Sequence, residues 1–496
     1  MMKNSFFYVL VSCSALTGCA LKTPPGWSDI LTDRAKGKIP DQWTGTTQSG
    51  PVVPNWIRGF GDPRLTKLVQ QALERNPDLV AAAAKVEASQ AAVRIARAAL
   101  YPRVAGGAIG ERHGRELSGD LGLGLDAPNL GGLGRGVETA GADTRSIDSS
   151  SQQWVYGLGI GASWEADVWG RVRNKRAAAK SDSEALAADY EFARQSLAAQ
   201  TARAWFSAIE ASQQAANARE TLSLYDDFLK LFEVRKEQGV ASDFEMAQVN
   251  TRVAGAKDVL HTAEGAREQA VRAIEVLVGE YPAGNLKTSS QFPSLPRNVP
   301  AGLPSQLLER RPDVIAAERR VAAAFHRAKE AKAARLPRFA LTATGGIGSA
   351  QLDGVGALDS FMWTLGSSVT QPIFFGGELK AVEDVRKAEQ RAAMAAYTGT
   401  ALRAFEDVET SLTNERTLRL REGVLSEMVT ASGETVRLSR DQFDTGKADM
   451  FVVLRLSGES LAAKIQLAQI RASRLRERVN LHLALGGGFS AEKSDK

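Results

Sequence analysis

Two stretches of this chain, 171–238 and 378–445, each run 68 residues without a proline. At 1.5 Å of rise per residue, a helix over either stretch would be about 100 Å long. Apolar residues such as Leu197, Ala204 and Ile209 in the first, and Leu402, Phe405, Val408 and Leu412 in the second, are interspersed with Ala, Arg, Glu and Gln. That is the pattern of helices packed side by side with one face wet. Ordinary globular cores use helices of about 8–20 residues, so this chain calls for an elongated, largely helical architecture.

The two stretches belong to a repeat. Asn76-Pro77-Asp78-Leu79 matches Arg311-Pro312-Asp313-Val314, and Tyr101-Pro102-Arg103 matches Leu336-Pro337-Arg338, both at an offset of 235. Gly170 matches Gly377, residues 239–244 match 446–451, and Gly279 matches Gly486, all at an offset of 207. Matches at two self-consistent offsets identify a tandem duplication of one large unit. The change of offset puts 28 extra residues between Pro102 and Gly170. They include 119–136, which holds seven glycines and reads as a long exposed loop.

Each copy has the same order. A helix of about 35 residues is predicted to end at the Tyr/Leu-Pro-Arg corner, where proline breaks the backbone ladder. Two strands follow, 104–110 and 154–164 in the first copy, 339–348 and 361–371 in the second. Trp154, Tyr156, Leu158, Ile160, Ala162 and Trp164 alternate with Val155, Gly157, Gly159, Gly161 and Ser163, giving one apolar and one small face. Periodicity alone fits a soluble sandwich hairpin as well as tilted strands crossing an outer membrane. Four strands cannot close a barrel, and open edges cannot exist in hydrocarbon. Strands that span lipid would therefore require several chains to share one barrel. After the long helix the chain turns at Gly239 or Gly446 and returns through 243–278 or 450–485. One return helix of 36 residues and one helix of about 35 that ends at the Pro-Arg corner together come to about 71, close to the length of the long one. Two short helices stacked end to end are therefore expected alongside each long helix, with the glycine turns at the far tip.

Both cysteines, Cys13 and Cys19, lie in the first 19 residues, which excludes an internal disulfide framework or thiolate cluster. Lys3, an apolar run and Leu16-Thr17-Gly18-Cys19 are too short for a spanning helix and suit an export signal. The run resembles a bacterial lipoprotein signal, with Cys19 the acylated first residue of the mature chain; a cut at Cys13 would leave too short an apolar region. Ala20 after the cysteine implies release to the outer membrane. The net charge of +5, or +4 without Lys3, is too small for a chain of this size to imply nucleic acid. His113, His261, His326 and His482 lack metal-ligand spacing, and no Gly-x-Ser-x-Gly or phosphate-binding glycine motif is present, so the chain is read as no enzyme. Arg171, Arg173, Lys175, Arg176 and Lys180 form a basic run after a strand, open to two readings: a solvated helix face or attraction to anionic headgroups.

Taken in order, several motifs resemble the outer membrane efflux proteins, the TolC-like channels, and specifically their lipid-anchored OprM and NodT-type group. They are Asp62-Pro63, Asn76-Pro77-Asp78-Leu79, the run 164–171 (Trp-Glu-Ala-Asp-Val-Trp-Gly-Arg), 311–318, Leu336-Pro337-Arg338-Phe339, Gln371-Pro372-Ile373-Phe374-Phe375-Gly376-Gly377 and 483–488. The resemblance covers 19–489. It implies a mixed fold, a membrane β-barrel continued by a long α-helical barrel. Three copies would each give four strands to a shared twelve-stranded barrel, and the helices would form a periplasmic tunnel. The implied partners are the other two copies, a periplasmic adaptor, an inner membrane RND-type transporter and outer membrane lipids. No cofactor is implied beyond the diacylglyceryl and N-acyl groups on Cys19. The implied function is the outer membrane channel of a tripartite system exporting drugs, solvents or related toxic compounds. Type I secretion, metal export and a pump-independent porin or structural lipoprotein are the alternatives.

The resulting map is 1–18 signal, 19–60 acylated strap, 61–289 first repeat with its β-hairpin at about 103–165, 290–489 second repeat with its hairpin at about 338–373, and 490–496 tail. The candidate aperture residues are Gly239, Asp243, Glu245, Gly446, Asp449, Val452 and Arg455. In the related proteins acidic residues stand about six and nine positions beyond the second tip glycine. Here those places hold Val452 and Arg455, so the acidic gate does not carry over, and Arg455 is expected either to be paired or to raise the barrier to cations.

Overall fold

A computed structural model of the chain describes residues 22–26, 30, 40, 42–45, 55–117, 149–289, 291–295, 299–349 and 361–488. The signal, Cys19, the glycine-rich loop and the C-terminal tail lie outside the described residues. The elements are α1 (Pro63–Arg75), α2 (Pro77–Ala98), β1 (Arg103–Leu117), β2 (Ser149–Ala166), α3 (Arg171–Glu237) and α4 (Asp243–Leu277). The same order follows in α5 (Pro304–Arg310), α6 (Pro312–Ala333), β3 (Arg338–Ser349), β4 (Phe361–Thr370), α7 (Glu378–Asp444) and α8 (Met450–Ala484). The long helices α3 and α7 have 67 residues each, one fewer than predicted, and the strands of the first copy run further than alternation suggested.

The single helix of about 35 residues predicted before each strand pair is in fact two. Pro77 and Pro312 begin α2 and α6, and the residue before each is forced out of the helical region. Asn76 has φ −63°, ψ 124° and Arg311 has φ −78°, ψ 117°. Each break is also a junction with the return helix of the same copy, which follows it in the chain. Asn76 donates Nδ2 to the Leu277 carbonyl of α4 (3.1 Å), while its Oδ1 accepts from the amides of Asp78 and Leu79. In the second copy Arg311 does the same work with charge. Its guanidinium donates to Asp313 (2.9 Å), to Asp407 of α7 (2.7 Å), and to the carbonyls of Ala404 and Ala484 (3.4 and 3.5 Å). The return helices end in αL glycines, Gly279 (φ 75°) and Gly486 (φ 68°), each followed by the paired backbone bonds of a Schellman motif. A Cβ on Gly279 would stand 2.8 Å from the Arg75 carbonyl, so only glycine lets the two helix ends meet. The end-to-end contact expected from the lengths is present at both junctions.

Apolar clusters fill the space between these helices, two of them beside the junctions. One gathers Trp205, Phe206 and Ile209 of α3, Leu65 and Val69 of α1, Ile274 of α4 and Leu475 of α8. The other gathers Val314, Val321, Tyr397, Val408 and Leu485. The segment read as a strap enters both. Trp56, Ile57 and Phe60 form a buried 3-10 turn in the first cluster, with Trp56 stacked on His482 at 5.3 Å. Trp43 packs in the second and donates its indole N–H to the Gly302 carbonyl (3.1 Å). Beside it Glu409 accepts from the Thr44 amide and hydroxyl and the Gly45 amide (2.8, 2.6 and 3.1 Å). Burial works to raise the Glu409 pKa, but these three donors outweigh it and hold the carboxyl below its usual range. The described part of the segment read as a strap is thus part of the core.

The strands form a four-stranded antiparallel sheet in the order β1-β2-β3-β4. Register aligns Gly106, Ile160, Gly345 and Trp363 in one row and Val104, Ala162, Ala343 and Leu365 in another. Leu158, Leu341, Phe361 and Val369 share this face, and all are exposed: Trp363 by 70% and Leu365 by 73%. The opposite face carries Gly157, Gly159, Gly161, Ser163, Thr342, Thr344, Gly346, Thr364, Ser368 and Thr370, with Ile109 and Met362 its large apolar residues. β1 and β4 each leave one edge unpaired within the sheet.

Candidate functional site at the tips of the helical hairpins

Helix α3 ends and α4 begins across Gly239; α7 ends and α8 begins across Gly446. Both glycines have φ 72°, and both turns are Schellman motifs. The amides of Gly239 and Val240 bond to the carbonyls of Lys236 and Arg235, and those of Gly446 and Lys447 to Phe443 and Gln442. The two hairpins are brought together by an apolar cluster of Tyr225, Phe232, Val249, Val253, Met450, Val453 and Leu454. Phe232 lies 6.0 Å from Phe451, and the Arg235 guanidinium stands 5.3 Å over the Phe443 ring, a cation–π contact across the hairpins.

Most of the acidic residues singled out in the sequence are engaged locally. Asp243 pairs with Lys236 (2.8 Å), which bonds and attracts its carboxylate and lowers its pKa. Glu245 closes a capping box: its carboxylate accepts from the Ser242 amide (2.7 Å), and its own amide donates to the Ser242 hydroxyl (3.3 Å). Those bonds hold Glu245 below the usual carboxylate range. Asp449 caps α8 by accepting from the Phe451 amide (3.0 Å). Val452 is exposed one turn further on. Arg455 pairs with Glu459 at 2.7 Å, both side chains more than half exposed. Of the two outcomes expected for Arg455, the paired one is observed. Nearby on α7, Arg437 bridges Glu434 and Asp441 (2.7 and 2.9 Å). The tip is therefore a set of capped turns and ion pairs, Arg437 holding two carboxylates, and each acid among the residues singled out is bonded locally.

The run 164–171 has a structural role that its sequence did not reveal. Trp164 donates its indole N–H to the Leu100 carbonyl (2.9 Å) and Trp169 to the Pro337 carbonyl (2.8 Å). Glu165 takes a two-pronged bond from Arg171 (3.0 and 2.7 Å). Asp167 caps α3 by accepting from the amides of Val172 and Arg173, and it also pairs with the Arg173 guanidinium (3.2 Å). Two of the five basic residues are thus committed to the corner between β2 and α3. Acid–base spacings of six residues across a Gly with positive φ were the signal available for this. Among the described residues no His, Cys, Asp and Glu side chains group as a metal site. His326 bonds through Nδ1 to Asn174 (3.1 Å), His482 is buried on Trp56, and His261 lies beside Glu264.

The model of the family described as "Outer membrane efflux protein" matches residues 68–280 and 303–487. The chain is 31% identical to the pyoverdine export outer membrane protein OpmQ of Pseudomonas aeruginosa, over 98% of this chain and 97% of that one. It is 29% identical to the toluene efflux pump outer membrane protein TtgF of Pseudomonas putida, over 98% of each. Its fold is similar to the open state of the MtrE outer membrane channel of Neisseria gonorrhoeae, with a TM-score of 0.79 and 26% identity over 96% of this chain and 99% of that one. With its paired helical hairpins, its four-stranded sheet and these matches over nearly its whole length, the chain belongs to the outer membrane efflux protein family.

Proposed function

We propose that three copies of this chain form an outer membrane exit duct, each giving its four strands to one twelve-stranded barrel and its helices to a periplasmic tunnel. The observation that carries this is the sheet: one face of exposed Leu, Ile, Val, Phe and Trp, one face of Gly, Ser and Thr, and two open edges. In hydrocarbon such a sheet is stable only when closed, and the apolar face is the one that lipid covers. The doubled element order supports descent from one duplicated unit. The cargo is small organic molecules, the class named in the relatives, delivered by an inner membrane RND-type transporter through a periplasmic adaptor. No reaction is catalysed by this chain. Cys19 carries the lipid that seats the mature chain on the membrane.

Deletion of the gene should abolish export of a fluorescent dye. Re-expression should restore export only in the presence of the adaptor. Export restored without an adaptor would favour a pump-independent porin, and loss of a protein or metal cargo in place of the dye would favour the other outlets.

A further inference from the structure

Each copy's first strand opens on an arginine after a proline: Arg103 begins β1 and Arg338 begins β3. Register places both on the Gly/Ser/Thr face. Arg103 pairs with Ser163, and Arg338 pairs with Thr370. Both side chains are exposed, and neither guanidinium has a hydrogen-bond or ion-pair partner among the described residues. Glu165, on the same face near the same end, is held by the Arg171 fork. From Ala105 to Ile109, Gly157 to Ser163, Ala340 to Gly348 and Met362 to Thr370 the face carries no charge. Along the strands, Arg103 is level with Thr342, four residues beyond Arg338 and two strands away. Four residues are roughly 13 Å along a strand. A strand tilt of about 35–45° absorbs most of that stagger, so the two side chains would come within a few Å of the same height in a closed barrel.

We infer that Arg103 and Arg338 form a cationic ring inside the barrel at the start of its strands, a site that draws small anionic molecules, carboxylates, phosphates or sulfonates, into the exit duct. This rests on the shared-barrel reading above. Three copies give six guanidinium groups around one lumen. Their planar forks match two-oxygen anions. A low-dielectric wall focuses their field along the axis.

The test uses the purified full-length protein in planar bilayers under a KCl gradient. In R103Q/R338Q the chloride-to-potassium permeability ratio should fall roughly twofold or more, each single variant falling less. In parallel, R103C and R338C, introduced singly, should react with a membrane-impermeant charged thiol reagent and change the current. Conducting channels with an unchanged ratio, or cysteines that resist the reagent while the channel conducts, would overturn the ring and leave the barrel intact. Wild-type protein that forms no channel would defeat the barrel reading itself, and the ring with it.

Discussion

Asn76 and Arg311 occupy the same place in the two copies but should fail very differently when truncated. Arg311 is 6% exposed and ties Asp313, Asp407 and two backbone carbonyls to one guanidinium. Breaking a buried charge pair by removing one partner costs about 3–5 kcal/mol. Asp407 is half exposed and can be resolvated, so the lower end, about 3 kcal/mol, applies to R311A. N76A removes a helix cap and one bond to Leu277, about 1–2 kcal/mol. Hydrogen exchange of the intact protein in detergent reads both as local opening. Amides around 312–316 and 484–488 should exchange roughly 100-fold faster in R311A, and those around 78–82 and 277–281 roughly tenfold faster in N76A. R311K should fall between, since an ammonium keeps the charge but cannot bridge four acceptors. An N76A effect equal to or larger than that of R311A, or R311K indistinguishable from wild type, would refute the assignment of the second junction to a charged hub.

Three further outcomes follow from the same geometry. G279A should destabilise its junction by more than 2 kcal/mol, about 1 from the αL backbone and the rest from the contact with the Arg75 carbonyl; G239A, with open space around it, should cost only the backbone part, and thermal unfolding of the two variants compares them. His482 is pushed down to about 3 by burial and by Arg478 one turn away. The unfolded chain therefore binds the extra proton first, stability is complete above about pH 6.5 and is lost as pH falls toward 3, by an amount on the order of 4 kcal/mol. H482L should flatten that part of the pH–stability curve, and an unchanged slope would assign the acid sensitivity elsewhere. C19A should abolish incorporation of labelled palmitate; labelling that persists at Cys13 would move the processing site.

The sequence exposed what depends on period and length. The 67-residue helices, the αL glycines at their tips and the alternation of β2 are consequences of local residue order, which is why proline-free runs and period-two patterns located them. The break at Asn76-Pro77 was visible as a proline, but its reading as a helix interior failed because the partner that makes a break favourable, the end of α4, lies some 200 residues away. Trp56 and Phe60 look like parts of a proline-rich tether until His482 and Phe206 are brought beside them. The tip acids were picked by position relative to a glycine. Whether an acid there is tied up locally or charges a channel is decided by its neighbour: Lys236 pairs with Asp243, and Ser242 shares a capping box with Glu245. The basic run likewise looked like one patch, and the fold separates it into corner clamps and exposed helix residues.

The pairing of Arg455 has a consequence for where the duct discriminates charge. Arg455 and Glu459 lie 2.7 Å apart on consecutive turns of α8, so beyond a Debye length of about 8 Å their fields nearly cancel. R455A removes one half of the pair and exposes a carboxylate at the tip of every copy, which should move bilayer selectivity toward potassium. The double variant R455A/E459A removes both charges, and if the pair is electrically neutral in the channel its selectivity should return to the wild-type value. Selectivity in the double variant that matches R455A would mean that Glu459 contributes nothing and that Arg455 acts alone as a barrier to cations. An R455A channel with wild-type selectivity would remove the tip from charge discrimination altogether, leaving the unpaired arginines at the starts of β1 and β3 as the stronger place to look.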